Sequence, residues 1–145
     1  MSKIGGYWCQ AIVRAPAYDW EWPLGGFQAP SPRLAIRWLE KQAHRIANAL
    51  DPIAGSIFPA AALAPVNPTA PNPGAILRAW ARDMRAQGRH MEMLVNGDPI
   101  TITAGQPDYI ANNAYTDVVY SLSARPLTVD FATDWRFRGD IFAAA

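Results

Sequence analysis

Nucleophilic and proton-transfer chemistry needs a reactive group held beside a base. This sequence offers one cysteine, two histidines and 12 carboxylates among 145 residues. Cys9 falls in an alternating run over residues 7–14, on the same side as Ala11 and Val13, so it reads as a small buried hydrophobe. His44 follows Glu40 by one helical turn, the spacing of an exposed surface pair. His90 opens a segment that reads as a strand. Nothing sets either histidine beside Cys9, and the three have no metal-ligand spacing. The sequence lacks GxSxG, a P-loop, GxGxxG, HExxH and CxxC. No catalytic residue, metal site or cofactor is therefore expected.

Three further groupings involve charge or aromatic rings. Asp19 and Glu21 alternate with Trp20 and Trp22, a pattern that suits a sugar site, where rings stack and acids transfer protons. Together with Phe27 these tryptophans form an aromatic loop, whose plainer role is to pin the loop to the protein body. Asp130, Asp134 and Asp140 are spread over strands and a turn and read as solvent-facing. Arg138-Gly139-Asp140 lies inside a strand pattern and reads as a chance tripeptide. The basic residues are more regular. Arg33, Arg37, Lys41 and Arg45 recur every four residues, and Arg78, Arg82, Arg85 and Arg89 nearly do. Each row lies opposite an apolar stripe, as in a solvated helix face or a contact for phosphate or an acidic protein. A net charge of +1 weakens the nucleic-acid reading.

The elements that must carry these groups follow from periodicity. Residues 7–14 form a strand, and 15–30 a loop rich in proline, glycine and aromatics. Ser31 and Pro32 start a helix in which Leu34, Trp38, Leu39, Ala43, Ile46, Ala47 and Leu50 make one apolar face against the sheet. Asp51-Pro52 ends it. A Pro/Ala-rich extended arm spans 52–73, with Ile57, Phe58, Leu63 and Val66 as its anchors. Asn72 and Pro73 start a second helix running to Gln87, with Gly88 as its stop and Ile76, Leu77, Trp80, Ala81 and Met84 as its stripe. From His90 the period changes to two. A hairpin is expected over 90–103 with Asn96-Gly97 as its turn. A loop over 105–113 and strands over 115–123, 127–132 and 135–142 follow, with Arg125-Pro126 and Thr133-Asp134 as turns. The expectation is one α+β domain over 1–145: an N-terminal strand, two amphipathic helices, then a mostly antiparallel meander of about five strands.

An apolar fraction of 50% and a charged fraction of 17% exclude an intrinsically disordered chain. A single cysteine excludes an intrachain disulfide and fits a reducing compartment. No signal peptide is read at the N-terminus, and residues 53–66 are too interrupted by proline to span a bilayer. Synthesis in the cytoplasm and no membrane partner are expected. With no catalytic groups but many Trp, Tyr and Arg, the leading expectation is a non-enzymatic structural subunit. It would assemble with copies of itself and neighbouring structural proteins, as in a virion, phage tail or connector. The alternatives are a module binding an anionic partner, nucleic acid or acidic protein, through the arginine faces, and a small carbohydrate-binding or hydrolytic protein using residues 19–22.

Overall fold

The computed structural model of the chain describes residues 2–51, 72–110 and 114–130. The alternating run at the start belongs to a longer strand, β1 (Ser2–Ala15). Tyr7, Cys9, Ala11, Val13 and Ala15 are buried on one side of it. Trp8, Gln10 and Ile12 are half-buried on the other, and Arg14 is exposed there. A short 3-10 turn at Pro16–Tyr18 leads into Asp19, whose φ of 52° is left-handed, a conformation aspartate tolerates better than most residues. The chain then returns as β2 (Trp20–Ala29), antiparallel to β1. Residues 15–30, expected as a loop, are therefore mostly a hairpin. Their prolines and glycines fit because, among the described residues, β2 is an edge strand with one neighbour, where proline is tolerated. The pairing also slips between Ala11 and Ile12, leaving Leu24 as a bulge.

Helix α1 (Pro32–Leu50) begins as expected, with the Ser31 hydroxyl accepting the Leu34 N–H at 3.2 Å. Its buried stripe is Ala35, Ile36, Leu39, Ala43, Ile46 and Ala47. Leu34, expected in that stripe, is exposed, and Trp38 is half-buried. Asp51 closes the helix. The proline-rich arm, with Ile57, Phe58, Leu63 and Val66, lies outside the described residues.

Helix α2 (Pro73–Arg82) also starts as expected, with the Asn72 side chain accepting the Ala75 N–H at 2.9 Å. It stops short of Gln87. Asp83 breaks it, and its carboxylate caps α3 (Met84–Val95) by accepting the Ala86 N–H at 3.0 Å. The buried Gln87 amide reaches back and donates to the carbonyls of Trp80 and Ala81 at 3.0 and 2.9 Å. Those carbonyls belong to the last turn of α2, where the Trp80 carbonyl also accepts the Asp83 N–H at 3.0 Å. Residues 90–95, expected as a strand, are helical, as the straight-chain residues of Met84–Val95 favour. Asn96-Gly97 is a helix cap and not a hairpin turn. Gly97 has φ of 90°, its N–H donates to the Leu94 carbonyl at 3.1 Å, and the Asp98 N–H donates to the Met93 carbonyl at 2.8 Å. This is the Schellman pattern. Both structures require a left-handed residue, so the dipeptide alone does not separate them.

Among the described residues, strands β3 (Ile100–Ile110) and β4 (Ala114–Asp130) join β1 and β2 in a four-stranded antiparallel sheet in the order β2-β1-β4-β3. Of the expected loop at 105–113, the residues 105–110 are strand and 111–113 lie outside the described residues, and the expected turn at Arg125-Pro126 is a continuous part of β4. Ile100 at the start of β3 pairs with Ala124, so Pro126 lies where β4 borders β1 alone and a missing N–H is tolerated. The α+β class holds, with two strands before the helices and two after them among the described residues. The segment 135–142 and the tripeptide at 138–140 lie outside those residues.

The helices cover one face of the sheet. Cys9, Ala11, Leu39, Leu77, Leu94 and Leu122 share a single core there. The opposite face presents Trp8, Gln10 and Ile12 beside exposed Arg14, Thr101, Thr103 and Arg125. Among the described residues no helix is long and apolar enough to cross a membrane.

Candidate functional site

The register of β1 with β2 decides where the aromatic segment points. Ala15 pairs with Trp20, Val13 with Trp22 and Cys9 with Phe27, which puts these three rings on the helix-bearing face. Arg14 pairs with Glu21 and turns that carboxylate to the opposite face. The acid–tryptophan alternation expected to line one sugar site is thus divided between two sides of the sheet. Helix α1 covers part of the helix side. Trp38 stacks on Phe27 with ring centroids 6.1 Å apart and 17° between planes, and the Arg45 guanidinium donates to the Leu24 carbonyl at 2.8 Å. The cover ends there: Tyr18, Trp20 and Trp22 are 53%, 40% and 59% exposed. Beside an anchored strand they form an uncovered aromatic ledge at the sheet edge.

The arginine rows are divided as well. Arg78 donates to the Asp51 carboxylate at 3.0 Å, the Asp51 carbonyl at 2.7 Å and the Asn48 side chain at 3.2 Å, tying α2 to the end of α1. Arg78 and Arg45 therefore serve the fold. Arg33, Arg37 and Lys41 on α1 remain exposed, as do Arg82 on α2 and Arg85 and Arg89 on α3. The break at Asp83 separates Arg82 from Arg85, so the second row is not one helix face. Arg33 and Arg37 border a groove between α1 and α3 of about 470 Å³, floored by Ile36, Met84 and Met91.

The remaining reactive groups serve packing. Burial pushes the Cys9 thiol up to about 11, although a backbone hydrogen bond from Ala29 opposes the shift. At that value the thiol stays protonated near neutrality. Among the described residues no group of three or more His, Cys, Asp or Glu is placed to hold a metal. His90, on α3, accepts the indole N–H of buried Trp80 on Nδ1 at 3.0 Å, and the two rings lie 5.9 Å apart. That bond requires the neutral imidazole.

Burial, aided by the Arg89 charge, holds the His90 pKa below its ordinary 6.5. The unfolded chain therefore takes up this proton first as pH falls. The contribution of His90 to stability is present above its ordinary pKa and is lost as pH falls through the folded value. Denaturant melts at about pH 7 and about pH 5 should show a loss that His90→Asn, which keeps an acceptor but does not titrate, reduces. An equal loss in both proteins would assign the acid sensitivity to other groups.

No family model matches the chain, and no curated protein or solved structure matches it either.

Proposed function

We propose that this protein is a non-enzymatic structural subunit that self-associates through the aromatic ledge on β2. The observation that carries this reading is the exposure of Trp20 and Trp22 on a strand whose neighbouring residues are anchored to the core. Large rings held rigidly at a surface lose little conformational entropy on contact and bury much apolar area. Tryptophan and tyrosine are also favoured in interface cores. Incorporation into a virion, tail or connector fits such a subunit.

Size exclusion with light scattering tests the proposal. The wild-type chain is expected to be oligomeric. Trp20→Ser/Trp22→Ser is expected to weaken association at least about a hundredfold, as loss of two interface anchors does, with far-UV circular dichroism unchanged. A wild-type protein that stays monomeric over the accessible concentration range would end this reading.

Binding of an anionic partner is the second reading, favoured by the exposure of Arg33, Arg37 and Lys41 along α1. It is weaker because Arg45 and Arg78 are engaged within the fold. A steep fall of nucleic-acid affinity with salt, reduced in Arg33→Ala/Arg37→Ala, is its signature.

A further inference from the structure

The register that parts Glu21 from Trp20 and Trp22 sets it on the open sheet face that carries Trp8. A groove of about 590 Å³ runs there along the β1–β2 seam, lined among others by Trp8, Gln10, Ile12, Glu21, Pro23 and Gly26. Its extent is that of the strands. Trp8 is paired opposite Gln28, and Glu21 opposite Arg14, six β1 positions further on, or about 20 Å at the rise of a strand.

Three features make it more than the solvated side of a sheet. First, a large ring stands on the polar side of the alternation in a central strand, and it is fixed there. The Trp8 indole N–H donates to the Gln10 side-chain oxygen at 3.0 Å. Its six-membered ring lies over Gly26, where a Cβ would stand 2.9 Å from Cη2 and 3.1 Å from Cζ2. Any other residue at 26 would displace the ring. Second, the Leu24 bulge lies within the groove and re-aims the strand, so Pro23 and Gly26 line the groove while Leu24 also packs against the core. Third, the polar groups are matched. The Gln10 oxygen is occupied by the indole, leaving its NH2 as the donor end, and the Glu21 carboxylate is an acceptor at the far end. None of the lining residues is basic, and one is acidic.

An elongated floor of indole, Ile12 and Pro23, edged by an amide donor and a carboxylate acceptor, suits a ligand with apolar ring faces and a hydroxyl rim. We infer that this groove binds a neutral linear saccharide, its pyranose ring stacked on Trp8 and its hydroxyls held by Gln10 and Glu21. Arg14 and Arg125 flank the groove, opposite Glu21 and Trp8, but neither lines it, and a polyanion seated in it would lie against the Glu21 carboxylate. The groove lies on the opposite face from the Trp20–Trp22 ledge, so the inference stands apart from the self-association reading.

Isotope-labelled protein titrated with cellohexaose, chitohexaose and a single-stranded oligouridylate provides the test. One or both saccharides are expected to shift the Trp8 indole resonance and the backbone amides of Gln10, Glu21 and Gly26. Trp8→Ala and Gln10→Ala, checked for native circular dichroism, are expected to bind at least about tenfold more weakly, whereas Trp20→Ser/Trp22→Ser binds as wild type does. The unmodified protein decides the matter even if Trp8→Ala fails to fold. Absence of shifts at millimolar saccharide, shifts confined to Trp20 and Trp22, or a response to oligouridylate alone each overturns the proposal.

Discussion

Leu39→Ala is expected to lower the unfolding free energy by about 3 kcal/mol, the middle of the range for truncating a fully buried leucine. Leu39 has no exposed surface and shares one core with Cys9 and Ala11 of β1, Leu77 of α2 and Leu122 of β4. The helices hold β1 and β4 from one side only, so a cavity at Leu39 weakens both layers at once. Denaturant melts should show an earlier midpoint with an unchanged slope, the sign of lost stability in an otherwise unaltered fold. A loss below about 1 kcal/mol would mean that α1 is not seated on the sheet as described.

Gly74→Val is expected to cost about 2–3 kcal/mol, as overpacking of a closely fitted site does. Gly74 is buried in the first turn of α2, and a Cβ added there would stand 2.6 Å from the Asp51 Cβ and 3.4 Å from the Ala47 carbonyl. Valine forces α2 away from the end of α1 and strains the Arg78–Asp51 pair that joins them. Gly88 supplies the opposite sign. It sits inside α3 with nothing within 4 Å of an added Cβ, so Gly88→Ala should raise stability by about 0.5–1 kcal/mol through helix propensity alone. The same melts measure both variants. Gains at both positions would show that the close approach of α1 and α2 does not constrain the fold.

The two glycines also show where sequence reading succeeds and where it stops. Ser31-Pro32 and Asn72-Pro73 announce their helices because a cap and the N–H groups it satisfies lie within four residues of each other. Gly88 looks like a helix stop in isolation, yet the real stop is Asp83, stabilised by Gln87 donating across the break. Asn96-Gly97 supplies a left-handed residue, and only the structure tells whether it closes a hairpin or a helix. For the functional surfaces, residue type was legible and grouping was not. Trp20, Trp22 and Phe27 stood out as aromatic, but their separation from Glu21 depends on the pairing of β2 with β1. Arg45 and Arg78 looked like members of exposed rows, but their partners lie 21 and 27 residues away in the chain. Trp8 carried a usable signal, a tryptophan among Gln10 and Arg14 on the outward side of a strand.

The sheet order has a consequence for how the protein is made. Both hairpins, β1–β2 and β3–β4, join segments close in sequence, but the central seam pairs β1 with β4, setting Ser2 opposite Asp130. Closing that seam spans almost the whole described chain, the kind of distant pairing that slows folding. During synthesis β1 and β2 emerge first, and the side of β1 that will receive β4 has no partner until residues 114–130 have been translated. A nascent chain therefore carries an open strand edge from the synthesis of β1 until that of β4, a template for mispairing with other copies. Keeping neighbouring copies apart until β4 arrives would protect that edge while the hairpin is still ribosome-bound.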